Sequence, residues 1–235
     1  MTDQPSTAII TAQHGWGYDW RTYAPWQPVL PAQWQLTLKN RGYFKESADK
    51  IIAPLENPGK HAWQILACHS FGLHLLRADE IEKADLLLII SSFASFHVNE
   101  NALSKKAIKR MIARLTSEPQ VVLQDFYAAC NGEKDGRGAP LPEKFMENCN
   151  LELLIEDLKK LDQAQVELSK IGAAKSILIL HGGKDAIVPV EAAKQLHELL
   201  PGSFLAIHEE AGHALPLTNP QWCLEQIINY VETSA

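Results

Sequence analysis

Short apolar runs alternate with stretches of helical spacing along most of the chain. Six runs have strand character: Ala8–Gln13, Gln35–Leu38, Ala62–Ala67, Leu86–Ser91, Ser176–His181 and Ser203–Glu209. The first four each end in a polar or glycine-containing loop, and amphipathic helical stretches such as Phe71–Lys83 separate several of them. The last two flank the helical pattern Val190–Leu200. A final helix is predicted from about Pro220 to Val231, burying Cys223, Ile227, Ile228 and Val231. Such alternation is the signature of a mostly parallel sheet with helices on both faces. About six main strands are expected.

The middle of the chain breaks this rhythm. From about His97 to Ala174 apolar residues recur at helical spacing, with a Gly/Pro-rich break at Asn131–Pro142. The block reads as an inserted helical cap, residues 97–174, on an α/β core formed by residues 1–96 and 175–235. A cap would cover the C-terminal edge of the sheet, where ligands bind in open α/β folds; extra packing helices are the plainer alternative. Composition leaves this picture intact, since 235 residues with 46% hydrophobic and 21% charged side chains can bury a full core. A net charge of −6 gives no general attraction for nucleic acid or anionic membrane. No secretory signal and no apolar run of membrane-spanning length is visible, and the four cysteines form no CxxC pair. A cytoplasmic, monomeric protein that binds neither nucleic acid nor membrane is expected.

Four predicted strand ends carry residues that complement one another chemically. Cys68-His69-Ser70-Phe71-Gly72 lies between a strand and a helix, the setting in which a turn lifts a nucleophilic serine off the sheet. That turn crowds the positions two before and two after the serine. Gly72 meets the demand for smallness, and Cys68 meets it less well. The serine also needs a base, a group that orients the base, and donors for an oxyanion. HGGKDAIVP follows one strand and presents Asp185; EEAGHALPL follows the next and presents His213. The order Ser70, Asp185, His213 differs from the chymotrypsin and subtilisin orders. Near the start, QHGWG turns after the first strand, so the backbone N–H groups of Trp16 and Phe71 would converge as an oxyanion hole. His14 is read as supporting that loop through hydrogen bonds. Asp125 could serve as the acid by residue type, but it lies in a helical context and not after a strand.

Nine histidines raise the question of a metal. His69 and His74 fall on different helix faces, no HExxH or Cys/His cluster occurs, and neither metal nor cofactor is expected. His181, His197 and His208 read as strand-end or surface residues. One charge feature stands out between Ser104 and Leu115. Lys105, Lys106, Lys109, Arg110 and Arg114 occupy one half of a helix, with Ala107, Ile108, Met111, Ile112 and Leu115 on the other. Alone, such a face is simply solvated.

Together, QHGWGYDW, KNRGYF, CHSFG, HGGKDAIVP and GHALPL resemble the α/β-hydrolase superfamily over nearly the whole chain. The HGWG form, the short length and the cap sequence are most similar to the pimeloyl-(acyl-carrier protein) methyl ester esterases of biotin synthesis. The resemblance implies an α/β-hydrolase fold and a serine carboxylesterase with Ser70, Asp185 and His213 as its triad. It further implies an acyl pocket lined by Trp16, Phe71, Phe126, Tyr127, Ala128, Ala129 and Cys130. The implied partner is acyl-carrier protein, whose acidic surface the basic ridge would seat. This sequence departs from the pattern at Cys68 and at Leu73, where many relatives have a second glycine, and the two strands that usually open the fold are not expected in it. Two other readings stand beside it: a broad carboxylesterase or thioesterase, and a non-catalytic ligand-binding protein on a hydrolase scaffold.

Overall fold

The computed structural model describes residues 7–45, 49–52, 62–98, 101–131 and 148–233. The Gly/Pro-rich break lies, from residue 132 onward, outside them. The sheet is built from β1 (Ala8–Gln13), β2 (Trp34–Lys39), β3 (Lys50–Ile52), β4 (Trp63–His69), β5 (Leu86–Ile90), β6 (Ile177–Gly182) and β7 (Phe204–His208). Their spatial order is β3-β2-β1-β4-β5-β6-β7. All neighbours run parallel except β3, which pairs antiparallel with β2. Six of these seven strands match the apolar runs of the sequence. The seventh, β3, is three residues long with Ile51 61% exposed, too short and too open for alternation to mark it.

Every residue of β5 and β6 is buried, as a central parallel strand covered on both faces requires. The period of two divides their side chains between two layers. Leu86, Leu88 and Ile90 join Ile10, Leu36, Tyr23, Trp26, Leu215 of the short α7 (Leu215–Thr218) and the inner face of α8 (Pro220–Thr233). Leu87 and Ile89 face the other way, into a cluster with Ile81, Ala193 and Leu196 from α1 (Ala78–Lys83) and α6 (Val190–Leu199). In α8 Cys223, Ile227 and Val231 are buried as expected, together with Leu224, whereas Ile228 is half-buried.

The expected helix Phe71–Lys83 is instead two elements. A 3-10 turn covers Ser70–Leu75, the chain extends through Leu76 and Arg77, and α1 begins at Ala78. The Glu80 carboxylate accepts the Arg77 N–H at 3.0 Å, so the new helix is capped locally at the break. Apolar spacing cannot register such a break, because Leu73, Leu76 and Ile81 remain on the buried side throughout.

Between β5 and β6 lie α2 (Ala102–Ser117), α3 (Pro119–Asn131), α4 (Leu151–Asp162) and the single turn α5 (Leu168–Ile171). Ile108, Leu115, Val122, Leu123, Leu154, Leu158 and Leu161 from the first three of these helices form a third cluster with Trp16, Tyr18 and Phe71. That cluster sits on the loops leaving β1 and β4. Among the described residues no helix is long and apolar enough to cross a membrane.

Candidate active site

Ser70 follows β4 directly and has φ of 54°, the left-handed region that a residue with a Cβ enters at a cost. The turn is held by its neighbours. Ser92, just past β5, donates its hydroxyl to the Ser70 carbonyl at 2.7 Å. Gly72 lies against the loop leaving β1, where a Cβ would stand 2.8 Å from the His14 oxygen and 2.9 Å from that of Gln13. A Cβ on Gly15 would meet the Ser70 Cβ at 2.9 Å. The two loops therefore touch backbone to backbone. Cys68 turns away into the core, with Sγ 3.5 Å from the Leu88 carbonyl, and burial pushes its thiol pKa well up.

The Ser70 hydroxyl is 3.0 Å from His213 Nε2, and His213 Nδ1 is 2.7 Å from Asp185 Oδ2. Asp185 Oδ1 accepts the N–H groups of Ile187 and Val188, both at 2.8 Å, which fixes the carboxylate plane. All three residues are buried. With Oδ2 accepting from Nδ1, His213 Nε2 is left to accept the serine proton. Asp125 lies on α3, exposed, and pairs with Arg114 Nη1 at 3.1 Å.

Two further histidines, His181 at the head of HGGKDAIVP and His69 within CHSFG, frame this set. His181 donates Nε2–H to the Val188 carbonyl at 2.9 Å and lies 3.4 Å from Asp185 Oδ2. It is fully buried at a strand end, not at the surface, and burial holds its pKa below the ordinary value. His69 donates Nε2–H to the His213 carbonyl at 2.9 Å, and burial, then the neighbouring His213, keep its pKa well below the ordinary range. Both are buried rings packed against His213 and Asp185. His197 and His208 are half-buried, as their readings allow.

Above Ser70 lies a cavity of about 330 Å³, toward the small end of ligand pockets. Trp16 and Phe126 line it with Phe96, Leu103, Ala107, Ile108 and Met111; α4 adds Leu158 and Leu161, and the loop after Asp185 adds Ala186 and Ile187. Ser70 and Ser104 are the polar members of the lining, and none is charged. Of the residues expected in a pocket, Trp16 and Phe126 stand in this wall and the others lie elsewhere. Phe71 is buried in the adjoining cluster, and Tyr127 is buried with its hydroxyl donating to the Gly17 carbonyl. Ala128 and Ala129 are exposed on the outer side of α3. Cys130 is buried and its carbonyl accepts the Ala214 N–H at 3.1 Å, next to His213. Helical periodicity explains the division, since consecutive residues of α3 cannot share one face.

The α2 residues seen in the cavity wall lie opposite its cations. Lys106, Lys109 and Arg110 are exposed and Lys105 is half-buried. Arg114 is paired with Glu118 at 2.5 Å and with Asp125, so its charge is not presented alone, whereas Lys106, Lys109 and Arg110 are exposed on the outer face. No group of three His, Cys, Asp or Glu side chains suited to a metal occurs among the described residues.

Residues 157–234 match the family model described as TAP-like protein. The chain is 29% identical over 224 residues to a pimeloyl-(acyl-carrier protein) methyl ester esterase of Neisseria meningitidis serogroup B, covering 86% of this chain and 84% of that one. Among solved structures, an esterase from Exiguobacterium antarcticum superposes with a TM-score of 0.74 at 17% identity, over 97% of this chain and 93% of that one. A thermophilic esterase from Thermogutta terrifontis gives 0.71 at 16% identity, over 98% and 91%.

Proposed function

We propose that this chain, an α/β-hydrolase by fold, is a serine carboxylesterase acting on the methyl ester of a pimeloyl chain carried by acyl-carrier protein, in biotin synthesis. The observation that carries the esterase reading is the continuous line from Ser70 Oγ through His213 to a doubly anchored Asp185. Ser70 Oγ attacks the ester carbonyl carbon and its proton passes to His213 Nε2. The carbonyl oxygen becomes an oxyanion held by the N–H groups of Trp16 and Phe71. His213 returns the proton to the departing methoxide, releasing methanol. A water then gives its proton to His213 as it attacks the acyl-enzyme, and His213 passes that proton to Ser70 Oγ as the bond to the acyl carbon breaks and the acid leaves. Asp185 keeps His213 in the working tautomer and stabilises the imidazolium. No step calls for a cofactor.

Three features support the finer substrate. The cavity wall over Ser70 is apolar and uncharged, which suits a methylene chain. The similarity to the Neisseria esterase extends over most of both chains. Lys106, Lys109 and Arg110 are exposed on the outer face of α2, whose inner face lines the cavity, and would meet the acidic carrier as its acyl chain enters. Residues 97–174 would then be a cap serving both acyl chain and carrier, in a cytoplasmic enzyme.

The test is hydrolysis of pimeloyl-carrier methyl ester and of a small soluble methyl ester, beside labelling by a fluorophosphonate. Ser70→Ala should abolish labelling and lower turnover of both esters at least ~10³-fold, and Asp185→Asn should impair both through the wrong histidine tautomer. Near-wild-type hydrolysis by Ser70→Ala would remove the esterase reading. Rapid turnover of the small ester with none of the carrier-linked one would leave a broad carboxylesterase.

A further inference from the structure

We propose that Asp157 and Arg41 are positioning residues that fix, through His14, the peptide unit whose Trp16 N–H receives the oxyanion. The proposal rests on the esterase reading above, in which that N–H is one of two donors. Neither residue touches the reacting atoms. They act from α4 and from the loop after β2.

One peptide bond links α4 and the loop after β2 to the donor. The Gly15 carbonyl and the Trp16 N–H belong to the same planar trans unit and point in opposite directions. Holding the carbonyl therefore aims the N–H. The Gly15 oxygen lies 2.9 Å from His14 Nδ1 and 3.4 Å from the Tyr18 N–H. A carbonyl only accepts, so the first contact forms only when Nδ1 carries the proton. His14 is 0% exposed, and burial holds its pKa below the ordinary value, so the ring carries a single proton. What decides between its two nitrogens is the Arg41 N–H, which donates to His14 Nε2 at 2.9 Å. With Nε2 accepting, the proton is on Nδ1, facing Gly15.

Arg41 must then be held, and it is. Its Nε and Nη2 grip the two oxygens of Asp157 at 2.7 and 2.9 Å, a fork that defines orientation as well as distance. The Asp157 side chain is 0% exposed and also receives the Tyr43 hydroxyl at 2.9 Å and Lys160 Nζ at 3.2 Å. Burial alone would raise the pKa of this carboxyl; Arg41, Tyr43 and Lys160 outweigh burial and hold it below the usual range. Three residues earlier on the same helix, the Leu154 carbonyl accepts the Trp16 indole N–H at 2.8 Å. Helix α4 thus grips the β1 loop twice, at the Trp16 side chain and, through Arg41 and His14, at the Trp16 backbone. The same helix contributes Leu158 and Leu161 to the cavity wall. An acyl chain seated there rests on the helix that aims the donor.

The test separates aim from mere anchoring. A trifluoromethyl ketone with a heptanoyl-length chain is attacked by Ser70 Oγ at its carbonyl carbon, the proton passing to His213, and becomes an oxyanionic hemiketal in the hole. An ether of the same chain fills the cavity and has no oxygen to place there. Asp157→Asn and Arg41→Lys should each weaken the ketone about 10-fold and lower kcat by a similar factor, less than the ~10²–10³ of losing a donor outright. KM and the ether inhibition constant should stay within about threefold, because uniform binding is untouched. Inhibition constants do not depend on the fraction of protein that folds, so partial misfolding leaves the comparison valid. If Asp157→Asn yields no folded protein, Arg41→Lys, which keeps a cation beside Asp157 but not the fork, carries it. Equal weakening of ketone and ether, or an unchanged ketone, would overturn the proposal. A wild type that neither hydrolyses esters nor binds the ketone would overturn the esterase reading along with it.

Discussion

Gly72 has no room for a side chain. A Cβ there would press on the Gln13 and His14 carbonyls at under 3 Å, and both are backbone atoms of the loop that carries Trp16. Gly72→Ala should therefore displace the proposed oxyanion donors relative to Ser70. The expected result is at least ~10-fold lower kcat with a destabilisation on the order of 1–3 kcal/mol, as for other overpacked sites. Turnover and urea midpoint measured together check this; full activity would mean that the two loops can part without consequence. Cys68, at the matching position on the other side of Ser70, shows the opposite tolerance, because its side chain leaves the turn and fills the core. Gly72 could be read in the sequence, since the crowding rule is local, whereas the crowding that rule expects at Cys68 is escaped because the side chain points into the core. Ser92, His181 and the Arg41–Asp157 pair could not be read there. Their partners lie 22, 4 and 116 residues away and answer to no spacing rule, although KNRGYF was conspicuous as a string.

Helix α2 presents two chemically different faces. Its apolar residues close the cavity, and Lys106, Lys109 and Arg110 face solvent. Reversing Lys109→Glu with Arg110→Glu should lower kcat/KM for a carrier-linked ester roughly 10–100-fold and leave a small soluble ester unaffected. Added salt should bring the wild type toward the variant, since exposed charges are screened beyond ~8 Å at physiological ionic strength. Equal losses on both esters would indicate damaged packing of α2 over the cavity. No loss on either would mean a solvated face and nothing more. Helical spacing made α2 legible as an amphipathic element. It also admits Glu118 as the i+4 partner of Arg114, but it could not reveal Asp125, which comes from the next helix. The sheet was legible for a similar reason: buried parallel strands announce themselves as apolar runs, whereas the three-residue edge strand β3 has no run to announce.

At the scale of the whole molecule, several histidines are folded away uncharged. Burial lowers the pKa values of His14, His69 and His181, and brings that of His74 to about 4. Each takes up a proton in the unfolded chain below about 6.5 but not in the native state. Stability should therefore fall as pH drops from about 6.5 toward the native pKa, by up to ~1.4 kcal/mol per pH unit for each such group. Asp157 acts lower: its native pKa is depressed, so its contribution is present above about 3.9 and is lost as pH falls through the native value. Urea unfolding at pH 7 and pH 5 should show a marked loss at the lower pH, shallower in His74→Gln. A midpoint that does not move over this range would mean that the buried rings accept protons without unfolding.

The backbone at Ser70 has a consequence for how this protein can be improved. A left-handed residue with a Cβ stores about 1–2 kcal/mol that glycine would not. Glycine gives some of that back through the entropy of its unfolded chain, so Ser70→Gly should exceed Ser70→Ala in stability by about 1 kcal/mol, measurable by thermal denaturation. Both variants are inert on the esterase reading. Selection for thermal robustness alone would then drift toward glycine at position 70 and away from activity. Any stabilisation campaign on this scaffold has to screen for turnover from its first round.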